Sequence, residues 1–209
     1  MRFNNVIKYL YLAPAGFTMP YNLGICQFIK EHYFLDEYKF IGASAGSWLS
    51  VFLASDMYLN DKMIKDYSEL FENKGIMYKW QNVCPFLTRE YSERIHDYQF
   101  ILDKKIKISI SSYHNKSISN TLLDDYENLE ELLNLCTVSS YIPILSGLKM
   151  PRVNNLITFD GYFTEPEFEH RRISLKICNS MFNRHFTFSD VIGKSKINIE
   201  ELINLGYYD

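Results

Sequence analysis

The pentapeptide Gly42-Ala43-Ser44-Ala45-Gly46 constrains this chain more than any other stretch. It follows Tyr38, Phe40 and Ile41, aromatic and branched residues suited to a strand. It precedes Trp48, Val51 and Phe52, with Leu49 and Leu53 beside them, at helical spacing. Strand, tight turn and helix is the setting that a G-x-S-x-G nucleophile elbow needs. Such a turn is sharp, so the residues around the serine must be small, and glycine at both ends tolerates unusual backbone angles. Ser44 is then expected at the N-terminus of a helix, whose positive end favours a developing anion.

The flanking pattern predicts the frame that holds this turn. Residues 5–12 are short, β-branched and aromatic, and read as a buried first strand. Residues 13–20 form a loop, 21–31 a helix and 38–41 a second strand. This order is that of a parallel sheet with crossover helices. A helix is predicted over 62–73, a strand over 105–113, a polar turn over 115–121 and a helix over 123–136. Short strands follow at 156–159 and 172–178, and a last helix over 199–205 stops at Gly206. Residues 77–103 are aromatic and mixed in charge and carry no assignable pattern. The 209 residues suffice for one domain with a sizeable core and are too few for two ordinary ones. The expectation is a single α/β domain over residues 1–209, a mostly parallel sheet flanked by helices.

Composition removes several function classes. A formal net charge of −3 gives no electrostatic case for nucleic acid. Cys26, Cys84, Cys136 and Cys178 lie far apart with no C-x-x-C pair, so neither a zinc site nor a redox motif is signalled, and free thiols are expected. No metal or cofactor is expected. No apolar run reaches the ~18 residues of a membrane-spanning helix. Residues 6–15 are apolar but interrupted by Lys8, and Pro14 sits where a cleavage site would avoid it; a strand is expected there, not an export signal. The expected location is cytoplasmic, with peripheral association to a membrane or lipid droplet.

A serine hydroxyl is a weak nucleophile until a base takes its proton. Of the five histidines (His32, His96, His114, His170, His185), none stands in a context that marks it, although Ser44, Asp160 and His185 meet the chain order of an α/β-hydrolase triad. Asp160 is better marked. It ends the apolar run 156–159 and precedes Gly161. A carboxylate at the end of a strand of a parallel sheet lies at the edge where ligands bind, which makes a direct Ser44–Asp160 pair possible.

Four segments together resemble the patatin-like phospholipases, in particular the subgroup related to adipose triglyceride lipase and adiponutrin. Ala15-Gly16-Phe17 with Tyr21-Asn22-Leu23-Gly24-Ile25 is similar to the family's glycine-rich loop and following helix. Ile41-Gly42-Ala43-Ser44-Ala45-Gly46 matches the elbow. Ser140-Tyr141-Ile142-Pro143 through Gly147 is similar to its S-x-x-I-P-x-x-x-G segment, and Phe159-Asp160-Gly161 matches its aspartate. Leu205-Gly206-Tyr207-Tyr208-Asp209 is similar to a segment opening a late helix of that subgroup, and the family's late helix is expected to be absent from residues 1–209. The resemblance implies a three-layer α/β/α fold and a lipase or phospholipase A activity. Ser44 would be the nucleophile, Asp160 the general base, the N–H groups of Ala15 and Gly16 the oxyanion donors, and Gly42, Gly46 and Gly161 the support. A lipid ester at a membrane or droplet surface would be the substrate. Phe17, Met19, Tyr141, Ile144 and Leu145 would be the apolar residues near the site. Two positions depart from the family. Pro14 and Met19 replace outer glycines of the first loop, and proline lacks an N–H to donate. Tyr162 stands where the family has a small residue. A weakly active or inactive relative that binds a lipid surface or a protein is the alternative these departures imply.

Overall fold

The computed structural model describes residues 8–71, 74–99, 101, 106–164, 166, 173–196 and 198–209. Strand β1 (Lys8–Leu12) pairs in parallel with β2 (Tyr38–Ala43), Leu10 opposite Phe40 and Leu12 opposite Gly42. Between them lie a 3-10 turn (Gly16–Thr18) and helix α1 (Met19–His32), with Pro20 in the first turn, where its missing N–H costs nothing. β2 leads directly into α2 (Ala45–Ala54), buried along its whole length. At the far end of α2 the Lys30 ammonium donates to the carbonyls of Phe52, Ser55 and Met57, closing the helix as a cationic cap. Helices α3 (Asp61–Phe71) and α4 (Ile76–Arg94) follow, then β3 (Lys107–His114), β4 (Ser117–Leu123) and α5 (Leu129–Ser139). The last elements are β5 (Arg152–Val153), β6 (Leu156–Phe159), β7 (Ile173–Ile177), α6 (Phe188–Val191) and α7 (Ile199–Tyr208).

The sheet is mixed rather than mostly parallel. Its order is β5-β6-β3-β2-β1-β7, with β4 on β3. β7, β1, β2 and β3 run parallel, whereas β3–β4, β3–β6 and β5–β6 are antiparallel. The polar stretch 115–121, read as a turn, is mostly strand β4. Only Asn115 and Lys116 turn, both at positive φ, as a two-residue hairpin of type I′ requires. Asn154 and Asn155 do the same between β5 and β6. Helix α5 starts at Leu129 rather than 123, because the Asn128 side chain caps it by accepting from Glu131 N at 2.9 Å. The unassigned stretch after residue 76 holds the 19-residue helix α4, with Pro85 inside it.

The register of β3 sets the centre of the molecule. One edge of β3 is taken along its length by β4. The other edge is shared end to end: β2 pairs with its first half, Ala43 opposite Ser109, and β6 with its second half, Phe159 opposite Ser111. β2 and β6 therefore run toward each other and stop on either side of Ile110. The residues that follow them are Ser44 and Asp160.

The two faces of the sheet differ. Leu10, Leu12, Phe40, Ile108 and Ile110 join the main core with residues of α1, α2, α4 and α5. On the opposite face Tyr11, Ala13, Ile41 and Ala43 form a smaller cluster, to which no helix contributes among the described residues. Helices flank the sheet, and the core residues of those described belong to the first cluster. Helix α7 completes the core by packing on α1, and it runs through Gly206 instead of stopping there. A Cβ at Gly206 would stand 1.9 Å from the Tyr21 carbonyl oxygen, so glycine is needed for close approach, not for a helix end.

Candidate active site

Ser44 sits at the break between β2 and α2 with φ 54° and ψ −128°, a conformation rare for any residue but glycine. Strain of this kind persists only when the surroundings over-determine it, and three contacts do so. Ser44 N donates to Ser139 Oγ at 2.8 Å, and that hydroxyl donates onward to Ser109 O at 2.7 Å. Ser44 O accepts from Ser47 N at 2.9 Å and from Ser47 Oγ at 2.6 Å. The turn is also wedged against β1, for a Cβ at Gly46 would fall 2.0 Å from Leu12 O, and one at Gly42 2.4 Å from Gly46 O. Both elbow glycines are therefore there for close approach.

Ser44 Oγ donates to Asp160 Oδ2 at 2.7 Å. The aspartate is held at three further points. Its Oδ1 accepts from Tyr162 N at 2.7 Å, its N donates to Tyr141 O at 2.8 Å, and its carbonyl accepts from Ser111 Oγ at 2.8 Å. It is fully buried, and Gly161 beside it is buried too. Burial pushes the carboxyl up to about 7, against the opposing pull of the hydrogen bonds from Ser44 and Tyr162. A carboxylate poised there suits a general base at neutral pH.

The hydroxyl opens into a narrow cavity of about 20 Å³, room for about one water molecule. Phe17, Met19, Trp48, Trp80 and Leu87 give it apolar walls, and Gly16, Ala45 and Ser140 border Ser44. Gly16 reaches the cavity with φ 54°, while Ala15 is buried and does not line it. The first N–H groups of a helix have no intrahelical partner, which leaves that of Ala45, a wall residue, available as an oxyanion donor. Phe17 and Met19 line the cavity as anticipated, whereas Tyr141, Ile144 and Leu145 do not. Tyr162 is 70 % exposed and points away from the cavity rather than crowding it.

Several of these residues escaped sequence reasoning. The roof is α4, through Trp80, Cys84 and Leu87, an i, i+4, i+7 stripe that Pro85 obscured. Ser139, Ser109 and Ser111 carried no local signal, since their roles exist only through the β3 register. His32, His96, His114 and His185 make no hydrogen bond to Ser44 or Asp160, and His170 lies outside the described residues. The four cysteines are free, three buried and Cys178 half-buried. Among the described residues no group of His, Cys, Asp or Glu could hold a metal, and no helix is long and apolar enough to cross a membrane. Comparison with protein-family models, with curated proteins and with solved structures finds no match to this chain.

Proposed function

We propose that this chain is a serine acyl hydrolase of patatin type, acting on lipid esters through Ser44 and Asp160 without a histidine. The observation that carries the reading is the 2.7 Å bond from Ser44 Oγ to the buried Asp160 carboxylate, at a strained elbow facing an apolar cavity. Asp160 Oδ2 takes the hydroxyl proton as Ser44 Oγ attacks the ester carbonyl. The N–H groups of Ala45 and Gly16 receive the oxyanion, a contribution of the kind worth ~2.7–4 kcal/mol per donor. The protonated Asp160 then gives its proton to the departing alkoxide, leaving an acyl-serine. Water, deprotonated by the same carboxylate, clears the acyl group. The aromatic and aliphatic walls favour an acyl chain over a polar one, and the cavity must widen to admit it.

The base works only when ionised, so hydrolysis rises with pH and levels off above about 7. In a pH-resolved ester hydrolysis assay, Ser44→Ala abolishes turnover and Asp160→Asn lowers kcat by a factor of about 10²–10⁴. Undiminished turnover in either variant removes the proposal. Pro14 and the narrow cavity favour a second reading, a non-catalytic relative that binds a lipid surface or a protein. Its mark is binding without any Ser44-dependent turnover.

A further inference from the structure

Beyond the level of Ser44, β3, β4, β5 and β6 continue as a projecting sheet. Its registers place Arg152 opposite Ile157, Ile157 opposite Tyr113, and Tyr113 opposite Ile118, so these four side chains form one row across four strands. They lie on the face shared by Ala43 and Ser109, to which no helix contributes a core residue among those described. Ile118 is 54 % exposed. On the same face Phe163 stands edge-on to Phe159, 5.5 Å between centroids, with Tyr162 beside it. The neighbouring loop leaves the outer side of β6 at Tyr141, whose carbonyl accepts from Asp160 N, and returns at Pro151, whose carbonyl accepts from Thr158 N.

That loop is built to hold apolar side chains in solvent. Ile144 has φ 74°, a genuine outlier for a β-branched residue. Ile144 N donates to Gly147 O, Ser146 N to Ile142 O, and Ile142 N to Ser146 Oγ, which fixes the conformation. The result exposes Ile144 by 68 % and Leu148 by 91 %. Strain that displays an apolar tip calls for a function. Charge says which. Residues 114–123 and 141–164 contain His114, Lys116, Lys149 and Arg152 but a single acid, Asp160, which is fully buried; the next acids in the chain are Asp124, Asp125 and Glu165. Lys116, Lys149 and Arg152 are exposed, in a chain whose overall charge is −3.

We infer that this projecting face and its loop are a docking surface for an anionic bilayer. Ile144, Leu148 and Phe163 enter the boundary between headgroups and acyl chains, and Lys116, Lys149 and Arg152 contact the anionic headgroups. Asp160 belongs to the strand-end turn bonded to this loop, whereas the cavity walls Phe17, Trp48, Trp80 and Leu87 belong to the helix-covered side. The inference takes its purpose from the hydrolase reading but not its test.

The test is sedimentation of the wild-type protein with vesicles of ether-linked phospholipid, which no acyl hydrolase cleaves. Binding is expected to vesicles containing a dialkyl-ether phosphoglycerol lipid, to weaken as salt is raised, and to be slight on the dialkyl-ether phosphocholine lipid alone. Reversing the three cations together (Lys116→Glu, Lys149→Glu, Arg152→Glu) is expected to weaken binding about one hundredfold. Leu148→Asp with Ile144→Asp is expected to weaken it at least about tenfold. Circular dichroism identifies any variant that fails to fold, and single substitutions then replace it. No binding to anionic vesicles, or binding untouched by both sets of substitutions, overturns the inference. So does self-association in solution that Leu148→Asp abolishes, which would make a second copy the occupant. Turnover of a soluble ester without vesicle binding sinks this inference alone; vesicle binding without turnover sinks the hydrolase reading alone.

Discussion

At the scale of single residues, the site depends on a serine held in a conformation it would not choose. Ser139 is the fulcrum, since its one hydroxyl accepts from the Ser44 N–H and donates to Ser109 O, tying the elbow to β3. It does not line the cavity, so on the proposed function any effect on substrate would pass through Ser44. Ser139→Ala leaves a buried N–H and a buried carbonyl unpartnered, a change of the kind that costs ~1–3 kcal/mol. The expected outcome is a kcat reduced by about 10-fold or more with KM nearly unchanged, because misplacing a nucleophile harms the reaction rather than binding. Ser139→Thr, which keeps the hydroxyl, is expected to restore much of the loss. Steady-state kinetics on a soluble ester decides it, and an equal rise in KM would assign Ser139 to the cavity wall instead.

At the scale of elements, what was legible in the sequence follows from what is local. The elbow, β1, β2, α1 and β6 rest on nearest-neighbour signals: apolar runs, small residues at a sharp turn, and a loop between them. The hairpins hid because their turns use Asn-Lys and Asn-Asn in place of a glycine pair, and because β4 opens on the largely polar run Ser-Ile-Ser-Asn-Thr. Helix α4 hid behind Pro85. Ser44 and Asp160 were each visible as strand-end residues, but their meeting is a property of β3, whose one edge receives β2 and β6 from opposite directions. No pattern within either segment encodes that. Helix packing is similarly non-local, as Gly206 shows: its reason lies in Tyr21, on another helix. Gly206→Leu forces α7 off α1 and is expected to lower stability by ~2–4 kcal/mol, an overpacking of backbone against backbone. Chemical denaturation measures it, and a variant as stable as the wild type would mean that the two helices are not in close contact.

At the scale of the whole molecule, the two faces of one sheet differ. The face with Leu12, Phe40 and Ile110 is sealed by helices and supplies the rigidity that a strained elbow requires. The projecting end of the other face carries exposed apolar and cationic residues beside the catalytic candidates. The buried Asp160 lies between the two, its carboxyl pushed up to about 7 by burial. The proposed activity requires Ser44 to be a nucleophile activated by that carboxylate. The most direct measurement is the rate and position of covalent capture by a fluorophosphonate, read by intact mass and peptide mapping across pH 5 to 9. One adduct is expected, on Ser44, forming faster as pH rises through about 7, at least about 10²-fold slower in Asp160→Asn, and unaffected by His185→Ala. No adduct on the wild-type protein, or an adduct that persists in Ser44→Ala, would contradict it.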